Sequence, residues 1–238
     1  ETFSNIKKFQ ILKKKNINNY EINKNLALLL PTSGSTGSSK YVRLSNENIT
    51  INSKQIINSL KIKETDRSIT TMPLNYTYGM SILNTHLISG SSIVLNNHSF
   101  IERDFWEILN NRKVTNFGGV PFMYETLIKL NFQKKIPKSL KYITQAGGKL
   151  QRSTFEAIIN ISNKSGLRFY SMYGQTEATS RMSVLDYKSS NKKIMSIGKP
   201  LVGGKFLIQS KNGKLINEPD KVGELIYIGK NVSLGYCK

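Results

Sequence analysis

The apolar positions of this chain follow two different spacings, and each spacing predicts one kind of element. Short apolar runs, such as LALLL within a predicted strand at 26–31, have the length of a strand, and YVRLS at 41–45 alternates as a strand does. The next segment repeats its apolar residues at helical spacing, and Ser45 or Asn46 can cap its start. The apolar face of this predicted helix consists of Ile49, Ile56, Ile57 and Leu60.

From residue 67 onward, predicted strands alternate with predicted helices. The strands are predicted at 67–72, 91–95, 114–118, 140–144 and 167–171, and the helices at 78–89, 101–111, 121–131 and 151–163. The inward faces of two helices are predicted to consist of Ile101, Phe105, Ile108 and Leu109, and of Phe155, Ile158 and Ile159. This alternation is typical of an α/β fold in which helices flank a mainly parallel sheet.

The pattern changes near residue 190. KFLIQS, a turn at 211–214 and then GELIYIG predict a small antiparallel unit. We therefore expect a polar lead-in at 1–25, an α/β core at 26–190 and the start of a β-rich subdomain at 191–238.

Composition narrows the class of protein. Hydrophobic residues make up 38% of the 238 residues, and no apolar run approaches the roughly 20 residues that cross a bilayer. The start of the chain has lysines but no apolar core of a secretory signal. A single cysteine, Cys237, forms no internal disulfide, and two histidines are too few for a histidine-based metal site. These features predict a cytoplasmic protein without a transmembrane segment.

The chain is strongly basic, with 35 lysines and arginines against 15 acidic residues and a net charge of +20. Such a surface attracts polyanions. The lysines are spread along the whole chain, however, and no zinc finger, helix-turn-helix or RNP-like pattern is present. We expect no specific nucleic-acid partner, and a non-catalytic protein that binds polyanions remains an alternative.

The loop TSGSTGSSK at 32–40 is rich in small residues and ends in a lysine. It lacks the spacing of a Walker A loop, and a strand follows it where a Walker A loop has a helix. Glycine lets backbone N–H groups converge on an anion, and the hydroxyls and Lys40 would add donors and charge. A flexible hairpin turn explains the same residues, so the loop alone leaves both interpretations open.

Four unusual stretches follow predicted strands, at 73–80, 118–125, 145–150 and 172–179. Ligands of open parallel sheets bind at the carboxyl ends of the strands, so we expect these stretches to meet there. Gly147 and Gly148 would let a flat base approach, Tyr173 could stack on it, and Glu177 suits Mg²⁺ beside phosphates.

These motifs resemble the adenylate-forming superfamily, which includes acyl-CoA synthetases, adenylation domains of peptide synthetases and firefly luciferase. The resemblance is carried by TSGSTGSSK, AGGKL at 146–150, YGQTE at 173–177 and GELIYIGKNVSLGY at 223–236. It implies that ATP and a carboxylic acid react to an acyl-adenylate and pyrophosphate, and that a thiol of CoA or of the phosphopantetheine arm of an acyl carrier protein then displaces AMP.

The resemblance also implies roles for individual residues. The catalytic residues would be Lys40, Tyr76, Thr176 and Glu177, with Glu177 binding Mg²⁺. ATP would be held by Thr32, Ser33, Gly34, Ser35, Thr36, Gly37, Lys40, Gly147, Gly148, Tyr173, Gly174, Gln175 and Thr176. The acid would be held by Tyr76, Tyr78, Gly79, Val120, Pro121, Tyr124, Gln145, Ala146 and Ala178.

The sequence departs from the family pattern in several places. Ser39 and Tyr41 flank Lys40 where proline and glycine are common, and Tyr76 stands where many members have histidine. The segment PLNYTYGM lacks the aspartate of amino-acid-activating members, which argues against an amino acid and favours an uncharged acyl or aryl acid. The ribose-binding aspartate and the small C-terminal domain would lie beyond Lys238. We therefore expect a fragment that is inactive alone, with an adenylation module that loads a carrier protein as the alternative.

Overall fold

A computed structural model describes residues 21–32 and 40–237 and also assigns strand backbone at 5–6 and 9–10. Its helices are α1 Asn46–Leu60, α2 Thr77–Ile88, α3 Arg103–Asn111, α4 Pro121–Lys129, α5 Arg152–Ser165 and α6 Tyr187–Ser190, with 3-10 turns at Phe132–Lys134 and Thr176–Ala178. Its strands are β1 Asn5–Ile6, β2 Phe9–Gln10, β3 Leu26–Pro31, β4 Tyr41–Ser45, β5 Arg67–Ile69, β6 Ser92–Val94, β7 Asn116–Gly119, β8 Tyr142–Gln145, β9 Arg168–Tyr173, β10 Ser183–Leu185, β11 Lys199–Pro200, β12 Lys205–Gln209, β13 Leu215–Ile216 and β14 Glu224–Ile228. Most of the predicted lead-in at 1–25 and most of the loop at 32–40 lie outside the described residues.

The main sheet confirms the predicted α/β fold with flanking helices. Its strand order is β11-β10-β9-β8-β7-β5-β6. The five strands from β9 to β6 are parallel, whereas β10 and β11 add to one edge in antiparallel pairings. The sheet is therefore mixed, because the chain turns back on itself directly after β9 where a crossover helix would be needed to keep the strands parallel.

Two hydrophobic clusters cover the two faces of this sheet. Successive strand residues point to opposite faces, so Ile143 and Phe169 join the cluster with α3, α4 and α5, while Tyr142 and Tyr170 join the one with α1 and α2. The predicted inward face of α5 is confirmed, since Phe155, Ile158 and Ile159 are all buried. The carboxyl ends of the strands are left open between these layers.

Helix α1 begins as the sequence predicts, and Ser45 is its cap. The Ser45 hydroxyl accepts a hydrogen bond from the Asn48 backbone N–H at 3.0 Å, and the Asn48 side chain accepts one from the Ser45 N–H at the same distance. Such a reciprocal pair satisfies backbone N–H groups that have no acceptor within the helix. Ile56 and Leu60 of the predicted apolar face are buried.

Two local predictions were wrong. Helix α3 begins at Arg103, after Glu102 as its N-cap, so Ile101 lies before the helix and is 58% exposed. Strand β5 ends at Ile69 instead of residue 72. The chain leaves the sheet there toward Pro73, a residue that has no N–H to give to a strand ladder.

Two smaller sheets lie outside the main one. Strands β3 and β4 pair with each other in antiparallel orientation to form a hairpin. Strands β13, β12 and β14 form a three-stranded antiparallel sheet, as predicted for the small unit after residue 190. The chain then returns to the hairpin, where the Cys237 N–H donates to the Tyr41 carbonyl at 2.7 Å and the Arg43 N–H to the Gly235 carbonyl at 2.9 Å. Across the described ranges, no helix has the length and apolar character needed to cross a membrane.

Candidate functional site

A cleft of about 1040 Å³ opens at the carboxyl ends of β8 and β9. Its walls come from residues 75–78 at the start of α2, 145–150 after β8 and 171–177 at the end of β9, with Thr32, Lys40 and Tyr236 at one side. All four predicted stretches therefore meet at one edge of the sheet. The one at 118–125 packs against Gly147 and Gly148 through Val120 and Pro121 but supplies no residue to the wall of the cleft.

Glycine is required where the chain leaves β8. Gly147 has φ +82°, and a Cβ atom there would lie 2.4 Å from the Tyr76 hydroxyl oxygen. A Cβ at Gly148 would lie 3.1 Å from the ring of Pro121. The two glycines therefore let the backbone after β8 pass close to Tyr76 and Pro121, and both stay exposed on the wall of the cleft.

The segment YGQTEAT folds back tightly after β9. A Cβ at Gly174 would lie 1.8 Å from the Ser180 carbonyl oxygen, so two stretches of backbone touch at this point. Thr179 and Ser180 both have positive φ, at 66° and 142°. Backbone strain of this kind at residues other than glycine is concentrated at functional sites. The turn presents the hydroxyl of Thr176 to that of Thr77 at 2.9 Å.

Glu177 and Lys40 are brought together by Tyr236. The Tyr236 hydroxyl donates to Oε1 of Glu177 at 2.7 Å, and the Lys40 ammonium nitrogen lies 5.2 Å from the centroid of the same ring. The hydrogen bond to the Glu177 carboxylate raises the pKa of Tyr236, because the phenolic proton stabilises that carboxylate. A carboxylate, an ammonium group and a phenol thus share one corner of the cleft.

Buried Asn231 anchors the turn that carries Glu177. Its side-chain amide donates to the Ala178 backbone carbonyl at 2.8 Å. The Asn231 backbone carbonyl accepts a hydrogen bond from the Thr179 hydroxyl at 2.6 Å. The Ser233 N–H donates to the Glu177 carbonyl at 2.8 Å. The part of the chain after β14 therefore holds the backbone of the turn in place.

Most of the predicted site residues lie on the wall of the cleft, though their roles stay predictions. Those on the wall are Thr32, Lys40, Tyr76, Tyr78, Gln145, Ala146, Gly147, Gly148, Tyr173, Gly174, Gln175, Thr176 and Glu177. Gln145 is fixed there by its own hydrogen bonds, since its amide donates to the Gly148 carbonyl at 2.8 Å and accepts from the Ser171 hydroxyl at 3.1 Å. Ser33, Gly34, Ser35, Thr36 and Gly37 lie outside the described residues.

Five residues predicted to hold the acid are not on the wall of the cleft: Gly79, Val120, Pro121, Tyr124 and Ala178. Tyr124 is fully buried, and its hydroxyl donates to the Thr144 carbonyl at 2.6 Å. Burial raises the pKa of Tyr124 well above its ordinary value. Gly79 packs against the Pro73 carbonyl, and Ala178 is buried. These residues support the wall from behind.

The sequence pattern did not point to several residues that shape the site. Thr77 and Asn231 lie within quoted stretches but were given no role there, and Arg181 belongs to no motif. Residues 195–197 line the cleft from the loop before β11. Tyr236 is the last residue of the motif GELIYIGKNVSLGY, but nothing in that motif predicts a contact with Glu177. Each of these contacts joins distant parts of the chain, and local spacing carries no signal for such contacts.

The metal ligands available at this corner are few. The described part of the chain contains no cluster of three or more histidine, cysteine, aspartate or glutamate residues that could hold a metal ion by itself. Glu177 is a single carboxylate on the cleft wall, and Thr176 precedes it on the same wall. Mg²⁺ is commonly bound through one or two carboxylates together with phosphate oxygens and waters, so these residues fit a Mg²⁺ that arrives with a nucleotide.

The chain is similar in sequence to two CoA ligases. At 31% identity, the chain is similar to oxalate–CoA ligase of Saccharomyces cerevisiae over 89% of this chain and 38% of that protein. It is 30% identical to 2-succinylbenzoate–CoA ligase of Bacillus pumilus over 94% of this chain and 44% of that protein. The chain thus spans about two-fifths of the length of these relatives.

The fold of the chain is similar to that of a CoA synthetase whose structure has been solved. O-succinylbenzoate–CoA synthetase of Bacillus subtilis in complex with ATP and magnesium superposes with a TM-score of 0.78 at 29% identity, over 87% of this chain and 42% of that one. A double mutant of the same enzyme with a product analogue gives a TM-score of 0.80 at 29% identity, over 89% of this chain and 42% of that one. The model of the family described as AMP-binding enzyme matches residues 5–237. The chain belongs to the family of AMP-binding enzymes.

Proposed function

We propose that the protein carrying this chain activates a carboxylic acid with ATP and transfers the acyl group to a thiol. The observation that carries the proposal is the meeting of Lys40, Thr176 and Glu177 beside the glycine pair Gly147–Gly148 in one cleft. An oxygen of the substrate carboxylate attacks the α-phosphorus of ATP and forms a new P–O bond. The bond from the α-phosphorus to the bridging oxygen of pyrophosphate breaks, and pyrophosphate leaves with that electron pair.

The residues of the cleft suit the parts of this reaction. Lys40 supplies a positive charge for the phosphates that leave, and the hydroxyls of Thr32 and Thr176 supply hydrogen-bond donors. The exposed backbone at Gly147 and Gly148, with Tyr173 on the same wall, suits the flat adenine ring. A bound Mg²⁺ would neutralise phosphate charge, and Glu177 would hold it. In the second half, the thiol sulfur attacks the acyl carbon and AMP leaves.

The residues of the cleft and the names of the relatives support one class of acid and one thiol. No acidic residue lies in the stretch 73–80 that forms one wall, so the site has no partner there for a substrate amine. The relatives named above act on oxalate and on 2-succinylbenzoate, and both acids carry two carboxyl groups. Those relatives are CoA ligases, so CoA is the proposed acceptor, with the phosphopantetheine arm of an acyl carrier protein as the other thiol to test.

The proposal is tested first by nucleotide binding. Isothermal titration with Mg·ATP is performed on the chain and on Lys40→Ala and Glu177→Ala, with Lys129→Ala and Glu64→Ala as controls on the exposed surface. We expect both cleft variants to weaken binding by about 10-fold or more, because each removes a charge from the site. The two controls should bind Mg·ATP as the unchanged chain does.

The full-length protein then tests the reaction. Pyrophosphate release that depends on an added carboxylic acid, followed by release of AMP on addition of CoA, would support the proposal. A folded full-length protein that binds no Mg·ATP, or that binds it equally well without Lys40 and Glu177, would overturn it.

A further inference from the structure

Arg181 is a fully buried arginine directly behind the cleft. It is 2% exposed, and its guanidinium carbon lies 4.6 Å from the centroid of the Tyr78 ring. Its Nη1 atom lies 3.3 Å from the sulfur of Met172, which is a weak acceptor. Its Nε and Nη2 atoms have no hydrogen-bond partner among the residues that the structure describes.

The absence of an acidic partner is unusual for a buried charge. Burial lowers the pKa of Arg181, but an arginine keeps its charge at neutral pH because its ordinary pKa is so high. Buried charges in proteins are normally paired, since an unpaired one loses its hydration without compensation. Asp66, the one buried acidic residue in the described part of the chain, is already paired with Lys141.

The surrounding layer also contains a hydrogen-bonding group that the described residues leave unpaired. The hydroxyl of Tyr142, in the same hydrophobic layer as Tyr78, is buried and has no partner among the described residues. It lies close enough to Arg181 for the guanidinium charge to oppose the effect of burial, which raises the pKa of Tyr142. Donors on two side chains are therefore left without acceptors below the cleft.

The position of Arg181 relates this charge to the cleft. The residue before it, Ser180, lines the cleft, and so do both side chains that its guanidinium contacts, Tyr78 and Met172. The backbone of Arg181 is held from the other side by Asn52 of α1, whose amide donates to the Arg181 carbonyl at 2.7 Å. One layer of side chains therefore separates the guanidinium from the space where a substrate would lie.

We propose that Arg181 determines specificity by binding a second anionic group of the acid substrate, so that the enzyme selects dicarboxylic acids. The inference rests on the function proposed above. One carboxylate reacts with ATP near Thr176, while the other carboxylate reaches the guanidinium as the Tyr78 ring moves aside. A planar guanidinium can give two parallel hydrogen bonds to a carboxylate, which here would use Nε and Nη2.

The test compares matched acids in the full-length protein. Acid-dependent pyrophosphate release is measured with succinate against butyrate and with glutarate against pentanoate, pairs that differ in one terminal carboxylate. We expect kcat/KM to favour the dicarboxylic acid by about 10- to 100-fold, as a charge-assisted hydrogen bond predicts. Arg181→Gln should remove that preference mainly through KM of the dicarboxylic acid, and Arg181→Lys should restore part of it.

A control and a second readout separate this role from a structural one. Arg168→Gln alters another arginine that lies against a tyrosine ring, at the opposite end of β9, and should leave the preference unchanged. In thermal unfolding, Arg181→Met should melt at the same or a higher temperature, because an unpaired buried charge is replaced by an apolar side chain. Succinate should raise the melting temperature of the unchanged protein more than that of Arg181→Met.

The outcomes distinguish the inference from the function on which it rests. Equal use of both members of each pair, with no change in Arg181→Gln, would overturn the inference and leave the proposed function standing. Pyrophosphate release with no acid at all would overturn the proposed function. A large loss of thermal stability in Arg181→Met, with unchanged acid preference in Arg181→Gln, would show that the arginine acts only in the fold.

Discussion

The hydroxyl of Tyr236 donates a hydrogen bond of 2.7 Å to Oε1 of Glu177. The backbone around Tyr236 runs beside β4, where Val42 pairs with it in an antiparallel bridge. The hairpin that carries Lys40 and the turn that carries Glu177 are therefore linked through one phenol. This link restricts the direction in which the Glu177 carboxylate can point and leaves Oε2 for another ligand.

Replacing Tyr236 by phenylalanine tests this link. Tyr236→Phe removes the hydroxyl and keeps the ring under Lys40, so the Glu177 carboxylate loses the donor that orients it. We expect the affinity for Mg·ATP to fall by about 3- to 10-fold, the range for one hydrogen bond to a charged group near solvent. The measurement is isothermal titration, with Tyr41→Phe as the control because Tyr41 is exposed on the same hairpin. Tighter binding by Tyr236→Phe would show instead that the phenol competes with the metal.

The second prediction concerns Asn231, which is fully buried between the turn at 176–178 and β14. Asn231→Ala leaves the buried Ala178 carbonyl and the Tyr227 hydroxyl without the side chain that bonds them. We expect the free energy of unfolding to fall by about 2–3 kcal/mol, because lost partners leave buried polar groups unsatisfied. Mg·ATP affinity should fall as well, since the same amide anchors the Glu177 turn.

Chemical denaturation and nucleotide titration measure the two effects. Asn217→Ala is the matched control, because Asn217 is exposed in the same β-rich part of the chain. If Asn231→Ala were as stable as Asn217→Ala, the anchoring role would be wrong.

The third prediction compares two glycines. Gly174→Ala puts a methyl group where the Ser180 carbonyl oxygen already lies, and neither stretch of backbone can move without disturbing the cleft. We expect a loss of more than about 3 kcal/mol in the free energy of unfolding, because overpacking acts here on backbone. Gly166→Ala meets no atom within 4 Å and bears only the cost of its φ of +73°. That cost is about 1–2 kcal/mol.

The free energy of unfolding of the two variants is measured by denaturant unfolding. A Gly174→Ala protein as stable as Gly166→Ala would contradict the close approach of residues 174 and 180.

The fourth prediction is a pH dependence of stability that arises from Asp66. Burial by itself would raise the pKa of Asp66, but hydrogen bonds from the Lys141 ammonium at 2.9 Å and the Lys63 N–H at 3.0 Å, with the Lys141 charge, lower it overall. Because the folded-state pKa lies below the unfolded value of 3.8, the unfolded chain takes up the proton first. The stabilisation is present above about pH 4 and is lost as the pH falls through the folded-state pKa.

Urea unfolding between about pH 7 and pH 2 measures this dependence. Asp66→Asn should cost about 1–2 kcal/mol at pH 7 and show a smaller decline below about pH 4. Asp104→Asn, which changes an exposed carboxylate of α3, should keep the acid dependence of the unchanged chain. If Asp66→Asn lost stability at low pH as steeply as the unchanged chain, the loss would come from other carboxylates.

Local patterns in the chain were sufficient to predict most elements of the fold. The helix face of α5, the cap at Ser45 and the alternation of strands with helices depend on spacing within about 15 residues, and the structure confirms them. Their ends were predicted less well, as at Ile69 and Arg103, because the last residues of an element depend on contacts outside it.

The sequence was sufficient to select some residues of the candidate site but not others. Gly147, Gly148 and the YGQTE segment could be selected from the sequence, because short motifs of small, aromatic and acidic residues after strands indicate a nucleotide site. The sequence alone could not decide where Tyr124 lies, since it sits in a motif stretch but its ring packs against Phe169 in the core. An aromatic residue suits either place, and only packing decides between them.

The order of residues along the chain was enough to determine which segments form helices, strands and tight turns, because those depend on interactions between near neighbours. Tertiary structure alone decided that Tyr236 bonds to Glu177, 59 residues away, and that Arg181 is buried with no acidic partner among the described residues. Both results come from burial and contact between segments that are distant in sequence. The spacing of residues along the chain does not predict such contacts, because they depend on how the sheet, the hairpin and the β-rich unit pack together.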